Sequence, residues 1–384
     1  MSKKNAQIFL IFIAYYSISC LSNAYFLFGP FYEKLGATPR EVGLFFSVFY
    51  LVMLLCRPLG SAVMERLDIR RTMIASAVMS AAATAGVALS LGNATLLIFF
   101  RALTGVGVSV MIVANIAAQS ILLDDEKTRG VGLALFTTGS MFPIATAVPL
   151  CEWFLSRGWD GAFIWTPVVF SLLCAGASFF VEDLKYSAKS GKEWGGYSEL
   201  FKSRGVMLLL ATAAVMSLAD AMTLSLASLA EELGVAASCF MVAEAISAVF
   251  IRTAGFRFVS RVPRTKLAAP AAALMGFILV AVSFSGSPIT FAICGLLFGF
   301  GIGVGFPTAL SLVGDMLPMR YYPKATGLVL LVIDIGWMAT PMIFGFASPL
   351  FGTVGAFRMI GAAAFAVSAL LYFTKWRGVK FEKY

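Results

Sequence analysis

The sequence predicts an all-α integral membrane protein: twelve spanning helices in two pseudo-symmetric bundles of six. Three observations carry that prediction. Of 384 residues, 60% are hydrophobic and only 13% are charged, against about 25% charged in a soluble domain. Apolar runs long enough to cross a bilayer as a helix, about 20 residues each, recur along the whole chain. The second half also repeats landmarks of the first at an offset of 195 residues.

In chain order, the predicted spans cover 6–29, 41–64, 72–91, 94–117, 130–151, 162–181, 205–229, 236–257, 267–284, 289–312, 325–347 and 354–374. Gly, Pro and charged clusters separate them. The opening MSKKNAQIFLIFIAYYSISCLSNA has the basic start and small-residue ending of a signal peptide. The apolar run continues past Ala24 and many spans follow, so it is read as a retained first helix.

The basic residues orient the spans. With the N-terminus in the cytoplasm, 22 of the 29 Lys and Arg fall in cytoplasmic segments and four in outside loops. The remaining three, Arg57, Arg101 and Arg252, lie within spans. This places both termini in the cytoplasm, in the inner (cytoplasmic) membrane of the cell. The net charge of +9 is then mostly a topology signal that also attracts anionic lipid heads. No polar basic domain exists to bind nucleic acid. The polar stretch 182–204 links an N-terminal bundle, 1–181, to a C-terminal bundle, 205–384. Within the linker, YSELFKS has the look of a short interfacial helix. The expected partners are a small-molecule substrate, protons and membrane lipids, and the expected state is a monomer.

The repeat is explicit around RPLGSAVMERLDIRR (57–71) and RTAGFRFVSRVPRTK (252–266). Arg57 meets Arg252, Gly60 meets Gly255, Arg66 meets Arg261 and Arg71 meets Lys266. Gly105 and Gly107 meet Gly299 and Gly301 at an offset of 194, and Gly132-Leu133 meets Gly327-Leu328. Two similar six-span halves are the signature of a secondary transporter with its site near the midplane.

These residues make the chain resemble the major facilitator superfamily over essentially its whole length. That family's loop between spans two and three reads G-x-x-x-D-R-x-G-x-R-R. Here Ser61 takes the first Gly position, Glu65 the acid, Arg66 the base, Asp68 the second Gly, and Arg70–Arg71 the basic pair. The preceding R-P-L resembles drug–proton antiporters and sugar-efflux-like permeases. RALTGVGVS in span four is similar to the family's R-x-x-x-G-x-G, with Arg101 on its intramembrane arginine. In span five, Gly130 and Gly139 fit the antiporter element, whereas Pro143 and Ile144 stand where Gly and Pro are expected. The resemblance implies the major facilitator fold, with spans one, four, seven and ten lining a central cavity.

Glu65, Arg66, Asp68, Arg70 and Arg71, with Arg261 in the other half, form a charge cluster at a predicted cytoplasmic helix end. Such a network can bias a rocking equilibrium, although a single surface pair contributes only about 0–1 kcal/mol. The same basic residues also serve as plain topology signals. Arg57 lies eight residues before Glu65, roughly 12 Å along a helix. It either snorkels to the surface as a gate brace or faces an anionic ligand.

Three acids fall inside spans: Asp220, Glu244 and Asp334. Removal from water disfavours a carboxylate's charged form, so such groups can load and release protons. Each also admits a structural role. Asp220 comes first, because Ser217, Asp220, Thr223 and Ser228 follow helical spacing. Tyr15, Ser19, Ser22 and Asn23 form a similar stripe in span one, and Arg101, Asn115 and Gln119 in span four. Glu244 and Arg252 are two turns apart and suit one charge network. Asp334 is equally suited to helix-to-helix hydrogen bonding.

Six scattered cysteines without a C-x-x-C pair and the complete absence of histidine suggest neither metal nor cofactor. The run GLLFGFGIGVGFP in span ten has no Lys and no preceding strand, so it suits close helix packing rather than phosphate binding. Pro143, Pro149, Pro307 and Pro341 are expected to kink their helices. No nucleophile–base pair argues for an enzyme. The reading is a proton-coupled transporter working by alternating access, with export of amphipathic or cationic compounds favoured. The alternatives are an anion transporter using Arg57, Arg252 or Arg101, and a lipid-handling or sensor protein on the same fold.

Overall fold

The computed structural model describes residues 3–122, 126–182, 197–255, 259, 261–318 and 321–378, and among them every regular element is helical. Each of the twelve predicted segments is a helix. Span one runs as Lys3–Ala24, a 3-10 turn Tyr25–Leu27 and a short helix Phe28–Lys34. Spans two and three follow one continuous path, Pro39–Leu89, broken at Asp68. Spans four, five and six are Ala94–Leu122, Glu126–Ser156 and Asp160–Phe179. Span seven is Arg204–Asp220, continued by a 3-10 turn Ala221–Ser225 and Leu226–Glu232. Spans eight, nine and ten are Ala237–Thr253, Ala268–Val282 and Pro288–Met316. Spans eleven and twelve share Tyr322–Thr374, broken at Gly352.

The starts of these helices are written in the sequence. Thr38 accepts from the Glu41 amide while the Glu41 carboxylate accepts from the Thr38 amide at 2.7 Å, with Pro39 at the first helical position. Ser287 and Thr290 repeat the device ahead of Pro288. Asn93 and Ser203 cap spans four and seven by accepting from amides three residues on.

The breaks do not fall where prolines were expected to bend the chain. Pro143, Pro149, Pro307 and Pro341 all lie inside helices that continue past them. The interruptions come instead from two residues with nearly the same backbone: Asp68 at φ 62°, ψ 168° and Gly352 at φ 73°, ψ 165°. Glycine adopts this left-handed conformation freely, whereas aspartate is strained by its Cβ. Sequence comparison had already put Asp68 where the family pattern carries glycine.

The chain forms two compact units, Met1–Lys189 and Ser190–Tyr384, dividing inside the predicted linker. Of that linker, 183–196 lies outside the described residues, and Tyr197–Lys202 is the short helix its sequence suggested. In the first unit, span one packs on spans four, five and six, and the Pro39–Leu89 path packs on spans four and six. In the second, span eight packs on ten, span nine on ten and the Tyr322–Thr374 helix, and span seven on that same helix. Nine stretches among the described residues are long and apolar enough to cross a membrane, Lys324–Gly378 containing two spans around Gly352. Their outer faces expose large apolar side chains such as Phe99, Leu172, Phe180, Ile289 and Phe373, which suits lipid. At the turn between spans five and six, Trp153 and Trp159 are exposed edge-to-face, with Arg157 over Trp153, as in an interfacial aromatic belt.

Each unit is closed after its last span by a buried apolar residue at the same repeat position, Val181 and Trp376. Trp376 is only 1% exposed, and its indole N–H donates to Thr212 of span seven at 2.9 Å.

Candidate functional site

The internal repeat shows itself as packing before it shows itself as chemistry. In the first unit, a Cβ on Gly105 would stand 2.7 Å from the Phe49 carbonyl oxygen of span two, and one on Gly107 would meet span three at the Ser76 carbonyl, 3.0 Å away. In the second, Gly299 lies against the Glu244 carbonyl of span eight, and Gly301 faces Ala271 of span nine. Residues 49 and 76 plus the offset of 195 give 244 and 271, so the same three-helix contact is built twice. Gly295 and Gly303 extend the span-ten stripe against Phe240 and Ala248. The glycine run is therefore a helix-packing surface, as its sequence implied.

What the two units place on this shared scaffold differs. Arg101, one helical turn before Gly105, is 1% exposed. Its guanidinium carbon lies 4.2 Å from the Tyr25 ring centroid, 4.7 Å from Phe45 and 4.1 Å from Phe49. Phe28 stacks on Phe45 at 4.1 Å and completes the aromatic wall. Each such contact stabilises by roughly 0.5–2 kcal/mol. Arg101 Nε and Nη1 and the Tyr25 hydroxyl are buried with no hydrogen-bond partner among the described residues.

At the same repeat positions the second unit carries Asp220, Phe240, Glu244 and Gly295 in place of Tyr25, Phe45, Phe49 and Arg101. Tyr25 and Asp220 sit alike, where the first helix of each unit tightens into a 3-10 turn. Asp220 Oδ2 accepts from the Trp337 indole N–H at 3.1 Å, and the Asp220 carbonyl accepts from the Thr223 hydroxyl at 2.8 Å. Glu244 is 4% exposed, and its Oε2 has no hydrogen-bond partner among the described residues. The two acids lie within electrostatic range of each other, and Arg252 within range of Asp220. Arg252 also sits 5.7 Å from the Phe306 ring centroid.

The other predicted residues occupy more structural positions. The polar face expected along span seven does not continue, because the helix tightens after Asp220, and Ser217 is buried, donating to the Ile333 carbonyl at 2.5 Å. Asn115 is fully buried and donates to the Ile11 carbonyl at 3.1 Å, tying span four to span one; Gln119 donates to Asn115 at 2.7 Å. Asn23 and Asp334 are buried, and Tyr15 is part-buried beside Gly139. Arg57 is half-buried at the end of the apolar stretch Pro39–Arg57.

In the charge cluster, Arg66, Asp68, Arg71 and Arg261 are exposed, and the Glu65 side chain lies outside the described residues. Arg70 donates to the Phe179 carbonyl at 2.7 Å, capping the C-terminal end of span six, where the helix dipole favours a cation. Gln7 joins the same corner by accepting from the Glu182 amide at 2.9 Å. In the second unit Arg264, just before span nine, pairs with Asp315 at the end of span ten, 2.6 Å, which sequence reading did not single out. The aromatic wall around Arg101 was also missed, since three rings among 52 aromatic residues carry no local signature.

A family model for the Major Facilitator Superfamily matches residues 8–256. Solved structures agree over nearly the full length. The nucleoside transporter NupG aligns with a TM-score of 0.80 at 11% identity, over 96% of this chain and 98% of that one. A bacterial homologue of the human lysosomal transporter Spinster, inward-facing and unoccupied, gives 0.74 at 15%, over 98% of each. The human organic anion transporter MFSD10 gives 0.65 at 14%, over 97% and 100%. At these identities the likeness speaks for the fold alone. No curated protein sequence matches this chain.

Proposed function

We propose that this chain, which belongs to the Major Facilitator Superfamily, is a proton-coupled secondary transporter that carries a small organic molecule across the membrane by alternating access, as an exporter. It works as a monomer in the cytoplasmic membrane with both termini in the cytoplasm, the side favoured by the Lys and Arg distribution. The observation that carries the reading is the pair of acids, Asp220 and Glu244, within electrostatic range inside the spans of one unit. Asp220 is part-buried and Glu244 buried, and carboxyl groups inside spans are rare without a task such as carrying a proton. Trp337 holds Asp220 in place by its indole N–H. The efflux-like elements around Arg57 and Gly130 support the outward direction. A second reading, transport of an anion, is favoured by one observation: Arg101 is a buried cation surrounded by rings rather than by acids.

The test is proton movement. Proteoliposomes loaded with a fluorescent pH indicator are challenged with nucleosides, organic acids and amphipathic amines. At least one compound is expected to change the lumenal pH with wild-type protein, and Asp220→Asn and Glu244→Gln are expected to abolish the change. Accumulation of a compound with no proton movement refutes the coupling.

A further inference from the structure

We infer that the Arg101–Tyr25 cluster is an oxyanion site that receives the acidic group, carboxylate or phosphonate-like, of the transported molecule. This rests on the transport reading above and names the charge class of the cargo.

The argument begins from unmet donors. Three buried N–H and O–H groups, Arg101 Nε and Nη1 and the Tyr25 hydroxyl, share one cluster and have no acceptor among the described residues. Buried polar groups in folded proteins are nearly always paired. The rings of Tyr25, Phe45 and Phe49 pack on the guanidinium, and the Tyr50 phenol lies within electrostatic range, yet none of them accepts a hydrogen bond from Nε or Nη1. Arginine does not escape burial by shedding its charge. An oxyanion answers both deficits, because it accepts several hydrogen bonds and balances the charge. A water molecule answers only the first.

The geometry suits capture rather than structural bracing. The rings packed around the guanidinium leave Nε and Nη1 without an acceptor among the described residues, and so leave them for a ligand. They also fix the side chain in advance, so less rotamer freedom is lost on binding. The second unit supplies the contrast. At the same repeat positions it has Asp220 and Glu244, and there the unmet group is an acceptor, Glu244 Oε2. The repeat has thus been specialised, with donors lacking an acceptor in one unit and an acceptor lacking a donor in the other. The apolar wall implies a cargo with an aromatic or other apolar body attached to its acidic group.

The probe is thermal melting of the full-length, detergent-purified protein with benzoate, phenylphosphonate and the size-matched cation benzylammonium. Benzoate or phenylphosphonate at saturation is expected to raise the melting temperature by about 2–5 °C, and benzylammonium is expected not to. Arg101→Gln is expected to weaken the anion about 10- to 100-fold, and Tyr25→Phe, which keeps the ring and removes the hydroxyl, about 3- to 10-fold. The proposal is overturned if neither anion stabilises the protein, if benzylammonium does so equally, or if Arg101→Gln keeps the full shift. If Arg101→Gln cannot be purified, unchanged affinity in Tyr25→Phe overturns it alone. Binding is read here without transport. An anion that binds as described but moves no proton in the liposome assay refutes the coupling and leaves this site standing. Coupled movement of an amine with no anion binding does the reverse.

Discussion

The two units build one scaffold and furnish it oppositely. Spans two, three and four meet through Gly105 and Gly107 as spans eight, nine and ten meet through Gly299 and Gly301. Yet position 101 is an arginine enclosed by aromatic rings, while its counterpart, Gly295, brings two helices into backbone contact. Where the first unit has Tyr25 and Phe49, the second has Asp220 and Glu244. Packing has been retained at the glycines, and charge has been redistributed one turn away. The lesson is that a duplicated bundle tolerates opposite electrostatics at equivalent positions, provided the close-packed seam is left alone.

The comparison breaks most severely if the furnishing is copied without its room. Gly295→Arg in the second unit would drive a long charged side chain into the Phe240 backbone. Ordinary overpacking costs about 1–3 kcal/mol and larger clashes more, so no folded protein is expected. Loss of the monodisperse peak on size exclusion would check this, and a well-behaved peak would show that the seam is looser than described. Next in size are the closing residues. Trp376→Ala is expected to cost about 3–5 kcal/mol, and Val181→Ala about 2 kcal/mol. Thermal melting should order the two variants that way; equal losses would mean the Trp376–Thr212 hydrogen bond and the larger ring contribute nothing extra. The smallest effect concerns the two breaks. Asp68→Gly relieves a left-handed aspartate and should stabilise by about 1 kcal/mol, while Gly352→Asp should destabilise by a similar amount. Shifts of the same sign would disprove the shared conformation.

Much of the fold was legible in the sequence because hydrophobic length and the repeat are global signals. The twelve helical segments and the packing role of the span-ten glycines could both be read. Asp220 and Glu244 were legible as charges in apolar surroundings, since such residues are rare without a task. The partners were not. Trp337 is 117 residues from Asp220, and Trp376 is 164 from Thr212, so nothing local connects them. The interruptions at Asp68 and Gly352 were hidden for a different reason. A spanning helix can absorb a missing N–H, whereas a left-handed residue reverses the backbone outright. Arg70 was legible as a charge, but its partner, a helix-end carbonyl, has no side-chain signature at all.

The enclosure of Arg101 also has a consequence for how the protein is made. Tyr25, Phe45 and Phe49 all precede Arg101 in the chain, so its shelter has been synthesised by the time span four leaves the ribosome. An arginine at the middle of a lone span costs about 2.5–3.5 kcal/mol to insert, and here the rings that offset it are already waiting. The acids of the other half enjoy no such order. Asp220 emerges 117 residues before Trp337, and Glu244 precedes the glycine seam that covers it. The first bundle can assemble vectorially, while in the second Asp220 gains its hydrogen-bond donor Trp337 only late in translation. Its assembly, more than that of the first, would then depend on outside help during insertion.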